Sequence, residues 1–238
     1  MNYLDFSRSK ALNNIPSRKL KAFLESIDEG SESQEKKVYS KIAINRYAES
    51  NIPIEYWSLK MEHDFHGDPR LLKKYQEYTA SLRDSYINGT SICLVGGHGV
   101  GKTMMVTCVL KKACQKGFSC LYSTLGDIVN TTTQSFGEDR FLARRELAMV
   151  DFLVIDEFDP RFMATENAAD LYARSLEGVF RARSQNKLPT LMCSNSPNVV
   201  ESFSGKLKDS IESLTKGYLS IFPVLGEDFR KKGKNDQE

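Results

Sequence analysis

The sequence predicts an α/β fold of three layers, with a central parallel sheet between helices. Three observations carry the prediction. Apolar runs ("SICLVG", "FSCLYST", "FLVID", "PTLMC") recur from residue 91 to 193, separated by longer stretches with helical patterning, the alternation that parallel sheets require. The glycine-rich stretch "GGHGVGKT" follows the first run directly, and two adjacent acids end the run "FLVIDE".

Composition sets the outer limits. The 238 residues are 40% apolar and carry a net charge of +2, enough for a substantial core and too little charge for a bulk electrostatic field. The five cysteines, Cys93, Cys108, Cys114, Cys120 and Cys193, show no C-x-x-C spacing. Reduced thiols in a cytoplasmic setting are expected. The opening "MNYLDFSRSK" lacks the apolar core of a secretory signal. No apolar run approaches the roughly 20 residues of a membrane span.

Three parts are expected: a flexible arm over 1–50, a core over 51–225 and a solvated tail over 226–238. In the arm, "SRKLKAFLESI" carries Leu20, Phe23, Leu24 and Ile27 in helical rhythm behind a Ser17 start signal. It suits either a helix packed on the core or one that docks a partner. A second helix is expected over 38–48. Pro53 then favours an extended segment through Tyr56 and Trp57, which suit either core packing or the wall of a base pocket.

"DPRLLKKYQEYTASLRDSYING" reads as one continuous helix, with Asp68 as its cap, Pro69 at its first position and "NG" as its stop. Tyr75 and Tyr78, with Leu71, Leu72 and Leu82, form its packed face. The strands and helices of the sheet follow in alternation: a helix from "GKTMMVTCVL" to Gly117, a polar helix-and-loop region through "TTTQSFGEDR", and a long helix from "ATENAADLY" to "RSQNK". A last helix is expected in "GKLKDSIESLTKG". His63 and His66, near Asp64 and Asp68, lie outside any metal-ligand framework.

The chemistry sits at the ends of the strands. Gly96, Gly97, His98, Gly99, Val100, Gly101, Lys102 and Thr103 satisfy G-x-x-x-x-G-K-[ST] between a strand and a helix. Such a loop wraps phosphate in backbone N–H groups, and the helix behind it adds its positive end. Lys102 supplies charge for the β- and γ-phosphates of ATP, and the Thr103 hydroxyl suits Mg2+. His98 fills a variable position. Asp156 ends a buried strand and suits the same magnesium; Glu157 suits polarisation of an attacking water. Asn195, at the end of "LMCSN", is placed to sense the γ-phosphate if its strand neighbours that of Asp156. The competing reading is a turn-forming "SNSP".

The order of phosphate loop, "VIDE", long helix and "PT…SN" resembles the AAA+ ATPases, and within them the DnaC/IstB-like helicase loaders and transposition helpers. "NIPIEYW" and the approach "RARSQNKLPT" are similar to segments of that group. The resemblance covers 51–214. It implies ATP-dependent self-association, a grip on single-stranded DNA and a replicative ring helicase as partner, contacted through the amino-terminal arm. It also implies an arginine reaching a neighbouring subunit's ATP. The expected stretch, "GKLKDSIESLTKG", has Lys206 and Lys208 but no arginine, leaving Arg174, Arg181 and Arg183 as alternatives and weak hydrolysis as an expectation. Arg161, Arg174, Arg181, Arg183 and Lys187 are candidates for a DNA-facing patch or for an ordinary solvated helix. A transposition helper or a non-hydrolysing ATP-dependent scaffold would share these residues. A small-molecule kinase would need an acceptor site that the sequence does not display.

Overall fold

A computed structural model describes residues 15–28, 34–134, 137–159, 165–196, 199, 208–209 and 217–228. Helices α1 (Ser17–Asp28), α2 (Gln34–Glu49), α3 (Met61–Asp64), α4 (Pro69–Ala80) and α5 (Leu82–Asn88) precede the first strand, β1 (Ser91–Val95). Then come α6 (Lys102–Gln115), β2 (Cys120–Thr124), α7 (Leu125–Gln134), α8 (Gly137–Met149), β3 (Phe152–Asp156), α9 (Glu166–Gln185), β4 (Thr190–Ser194) and β5 (Leu219–Pro223).

The five strands form one parallel sheet in the order β2-β3-β4-β1-β5. Its layering follows from the two-residue period of a strand. Ile92, Leu94, Phe152, Val154, Leu191 and Cys193 face a core shared with α4 and α6, while Cys93, Val95, Leu153, Ile155 and Met192 face a core shared with α7 and α9. Strands buried on both faces read as continuous apolar runs, as the sequence has them.

Several boundaries differ from expectation. The helix expected from Asp68 to the "NG" stop breaks at Ser81, whose backbone leaves the helical region at φ −105° and ψ 33°. Around the break, Thr79 Oγ1 donates to Tyr75 O at 2.9 Å and Ser81 Oγ to Glu77 O at 2.9 Å. Such hydroxyls compete with the ladder and bend helices. Asp68 is the cap, accepting from the Arg70 N–H at 3.0 Å, and Gly89 ends α5 in the left-handed region at φ 67°. Tyr75 and Tyr78 are core residues.

The segment after Pro53 is extended only at the proline itself, then closes a 3-10 turn over Ile54–Tyr56. The second helix begins at Gln34, ahead of residue 38. Strand β5 is an element beyond those expected. The helix expected over 205–217 lies mostly outside the described residues.

Helix α1 lies against the core. Leu20, Phe23 and Leu24 pack on it, and the Phe23 ring meets Trp57 edge-on at 5.3 Å. The neighbouring segment shields the edge of the sheet: Tyr122 N–H donates to Ser50 O at 2.8 Å, and Asn51 Nδ2 to Tyr122 O at 3.0 Å. An edge strand covered in this way offers less of its ladder for outside pairing. Among the described residues, no helix is long and apolar enough to cross a membrane.

Candidate functional site

The loop after β1 is shaped by its contacts on two sides. Gly96 N–H donates to Ser194 O at 3.2 Å, anchoring the loop to the end of β4. A side chain at Gly96 would stand 2.4 Å from Val224 O, just past β5, so the position admits only glycine. Gly99 takes φ +72°, and a Cβ there would lie 1.8 Å from the Asp228 carboxylate. The residues after β5 therefore rest directly on the phosphate loop.

The Lys102 side chain, 7% exposed, curls back into this loop. Its ammonium donates to Gly96 O at 2.9 Å, Gly97 O at 2.6 Å and Asn195 Oδ1 at 2.9 Å. The Asn195 contact follows from topology, because β4 pairs with β1 along Val95 and Ser194. Thr103 follows Lys102 in the first turn of α6 and lines the same cleft.

Asp156 ends β3, which pairs with the other edge of β4. Its carboxylate is buried and held on both oxygens. Tyr122 Oη donates to Oδ2 at 2.8 Å, and the Glu157 N–H donates to Oδ1 at 2.8 Å. Glu157 sits at φ 53°, a backbone region that non-glycine residues seldom occupy outside special sites. That bend leaves its side chain exposed while Phe158 returns to the core, its N–H bonded to Cys193 O at 2.8 Å.

These groups line one cleft of ≈ 490 Å³ at the carboxyl ends of the strands, where α/β folds place ligands. Lys102, Thr103, Asp156, Glu157 and Asn195 share it with His98, Gly99 and Gly101. Its opposite wall is Pro53, Glu55, Tyr56 and Leu59. Tyr56 thus faces the cleft, while Trp57 turns inward and donates from Nε1 to Ile52 O at 2.8 Å. A hydroxyl and a carboxylate facing a basic, glycine-lined loop are a hard-oxygen donor set suited to magnesium bound alongside phosphate.

Tyr122 stands outside every sequence motif of the site. It is one apolar-looking residue in a strand, and only the β2–β3 register, with Tyr122 opposite Val154 and Thr124 opposite Asp156, puts its hydroxyl on that carboxylate. Burial and the Asp156 carboxylate both push its phenol up, well beyond the ordinary tyrosine range. Glu55 and Leu59 carried no motif at all.

Of the basic candidates, Arg183 is excluded from any surface role. It is 1% exposed, and its guanidinium donates to Leu147 O, Val150 O, Asp151 O and Pro189 O and to Thr190 Oγ1. It ties α8 and α9 to the starts of β3 and β4. Arg181 is exposed and pairs with Glu177 at 3.0 Å one turn away. Arg174 and Lys187 are exposed and Lys208 is half-buried; Arg161 and Lys206 lie outside the described residues. Asp68, grouped by sequence with His63, Asp64 and His66, is engaged instead by Arg70 and by the Leu225 N–H at 3.1 Å. Among the described residues, no His, Cys, Asp and Glu groups of three or more are placed to hold a metal.

A parallel sheet in this order, a phosphate loop after its first strand and an acidic pair after its third define an AAA+ protein of the P-loop nucleotide-binding class. The family model for IstB-like ATP binding proteins matches residues 50–187. The chain belongs to that family, within the DnaC/IstB-like group of AAA+ proteins.

No curated protein matches the sequence. Among solved structures, the chain is similar in fold to DnaI, with a TM-score of 0.58 at 16% identity over 74% of this chain and 93% of that one. It is similar to the DnaC helicase loader, with a TM-score of 0.57 at 16% identity over 72% and 99%. The replication initiator DnaA bound to AMPPCP and single-stranded DNA aligns with a TM-score of 0.57 at 15% identity over 74% and 54%. The chain thus spans about half the length of the initiators it matches, 54% in two of them.

Proposed function

We propose that the protein is an ATP-dependent helicase loader, which binds ATP with magnesium, docks on a replicative ring helicase and helps place it on single-stranded DNA. The observation that carries the ATP reading is the convergence of Lys102, Asn195, Thr103, Asp156 and Glu157 on one cleft. Lys102 would exchange its loop carbonyls for the β- and γ-phosphates. Thr103 and Asp156 would hold magnesium, which screens phosphate charge when bound. Asn195, already touching Lys102, would exchange that contact for the γ-phosphate and so register its presence. Glu157, exposed beside the buried Asp156, would take a proton from the attacking water.

The protein partners rest on likeness of fold and on family. One of the structures that share this fold is the DnaC helicase loader, which supports that role. Self-association through ATP would need a cation supplied between subunits. With Arg183 buried, Arg174 or Arg181 of α9, or Lys206 or Lys208, would supply it. Arg174, Arg181 and Lys187, with Arg161, would meet DNA phosphates, making binding salt-sensitive. Helix α1 presents Arg18, Lys21 and Glu25 outward for helicase contact while its other face holds the core. A cytoplasmic location follows from this role.

The IstB-like family match favours a second reading, a transposition helper with the same ATP chemistry. Turnover of the wild type and Lys102→Ala, each with and without single-stranded DNA and a replicative helicase, tests the first. Stimulated turnover that the variant lacks is the expected result. Tight ATP binding with negligible turnover, equal in wild type and Glu157→Gln, would instead make the protein a non-hydrolysing scaffold. Recovery of a transposase rather than a helicase in a pull-down would select the second reading.

A further inference from the structure

Lys111 lies in α6, nine residues after Lys102. It is 7% exposed, yet its ammonium is given to main-chain carbonyls: Tyr56 O, Leu59 O and, at 3.3 Å, Trp57 O. Tyr56 and Leu59 line the cleft together with the phosphate loop. The lysine lines a second cavity, of ≈ 410 Å³, that Leu59 also lines. Burial pulls the Lys111 ammonium below the usual lysine range. A buried cation needs dense hydrogen bonding to persist, and here the bonding is directed at one short segment.

The same segment is also held by Cys108 of α6, whose Sγ donates to Leu59 O at 3.5 Å, and by the buried Trp57 ring. The segment's 3-10 turn is a single turn, closed by Tyr56 N–H to Pro53 O at 3.0 Å and Trp57 N–H to Ile54 O at 3.1 Å. The helix that begins at the phosphate loop therefore also sets the distance from that loop to the opposite wall. We propose that Lys111 is a positioning residue for the nucleoside part of the ligand: by clamping residues 56–59 to α6, it holds the base-side wall in register with the phosphate loop. The proposal rests on the cleft being the ATP site.

The test compares ATP with inorganic tripolyphosphate, which has the phosphates and no nucleoside. Affinities of both are measured by calorimetry, with magnesium, for wild type, Lys111→Met and the milder Lys111→Gln. Wild type should bind ATP more tightly than tripolyphosphate. Lys111→Met should lose about tenfold in ATP affinity while tripolyphosphate binding changes less than about twofold, since only the wall contacts are misplaced. Lys111→Gln, whose amide can still donate to one or two carbonyls, should fall between.

Equal losses for both ligands in the glutamine variant, or no loss for either, would overturn the clamp. If wild type itself bound ATP no better than tripolyphosphate, the reading of the cleft would fail instead. Lys111→Met failing to fold leaves the glutamine variant to decide.

Discussion

Lys102 Nζ lies 2.9 Å from Asn195 Oδ1, so the phosphate loop and the end of β4 are joined through a cation. The ammonium is thus held in place by weak, exchangeable acceptors. A carboxylate at 195 would convert the contact into an ion pair. Asn195→Asp should raise thermal stability by about 1 kcal/mol through the charge-assisted bond. If Asn195 senses the γ-phosphate, the added charge would face that group, and the variant should weaken ATP at least about tenfold more than ADP. Thermal denaturation and titration with both nucleotides check the two halves. Equal weakening of ATP and ADP would remove Asn195 from the γ-phosphate.

The Tyr122–Asp156 hydrogen bond predicts a magnesium-specific defect. Tyr122→Phe keeps the ring in the core and frees Asp156 Oδ2. If Asp156 holds the ion, magnesium-dependent ATP affinity should fall by about tenfold, as for other residues that orient a metal ligand. Affinity in excess chelator should stay unchanged. A fluorescent ATP analogue titrated under both conditions separates the effects, and an equal fall in both would make Tyr122 a packing residue alone.

Arg183 predicts stability without function. Its planar fork serves four carbonyls and a hydroxyl, and a lysine can satisfy only part of that set. Arg183→Lys should destabilise the fold by about 3 kcal/mol, measured by urea unfolding, through buried acceptors left unpaired. Affinity for single-stranded DNA should not change at temperatures where the variant is folded. A stable variant with weakened DNA binding would contradict the buried geometry.

Asp68 predicts an acid-sensitive anchor for the residues after β5. The Arg70 guanidinium holds its carboxyl at about 2, below the ordinary 3.8, with the Leu225 N–H assisting. A depressed folded-state pKa means the stabilisation is complete above about pH 4 and is lost as pH falls through about 2. Wild type should therefore exceed Asp68→Asn in stability near neutrality, and the gap should close across that acid window. Unfolding by urea at a series of pH values gives the comparison; a gap independent of pH would mean that the charge contributes nothing.

Legibility in the sequence followed the range of the physics. The phosphate loop was readable because Gly96 to Thr103 are contiguous and each residue type answers a local demand for backbone N–H groups, charge or hydroxyl. The strands were readable because burial on both faces writes a continuous apolar run. The break at Ser81 was harder to see, since its cause is hydroxyls bonding back along a helix whose apolar rhythm continues unbroken. Strand β5 is exposed along most of its length, so it lacks the continuous apolar signal of β1, β3 and β4.

By itself the sequence determined the alternation of the first four strands with helices, the parallel sheet and the glycine-rich loop with its lysine and threonine, because those depend on spacing along one chain. Tertiary structure decided which distant residues serve them. Tyr122 reached Asp156 through strand register, Lys111 reached the cleft wall across 52 to 55 residues of sequence, and Arg183 went inward rather than out to a ligand. A cation's charge is written in its residue type, but its partners are fixed only when the elements that carry them pack together.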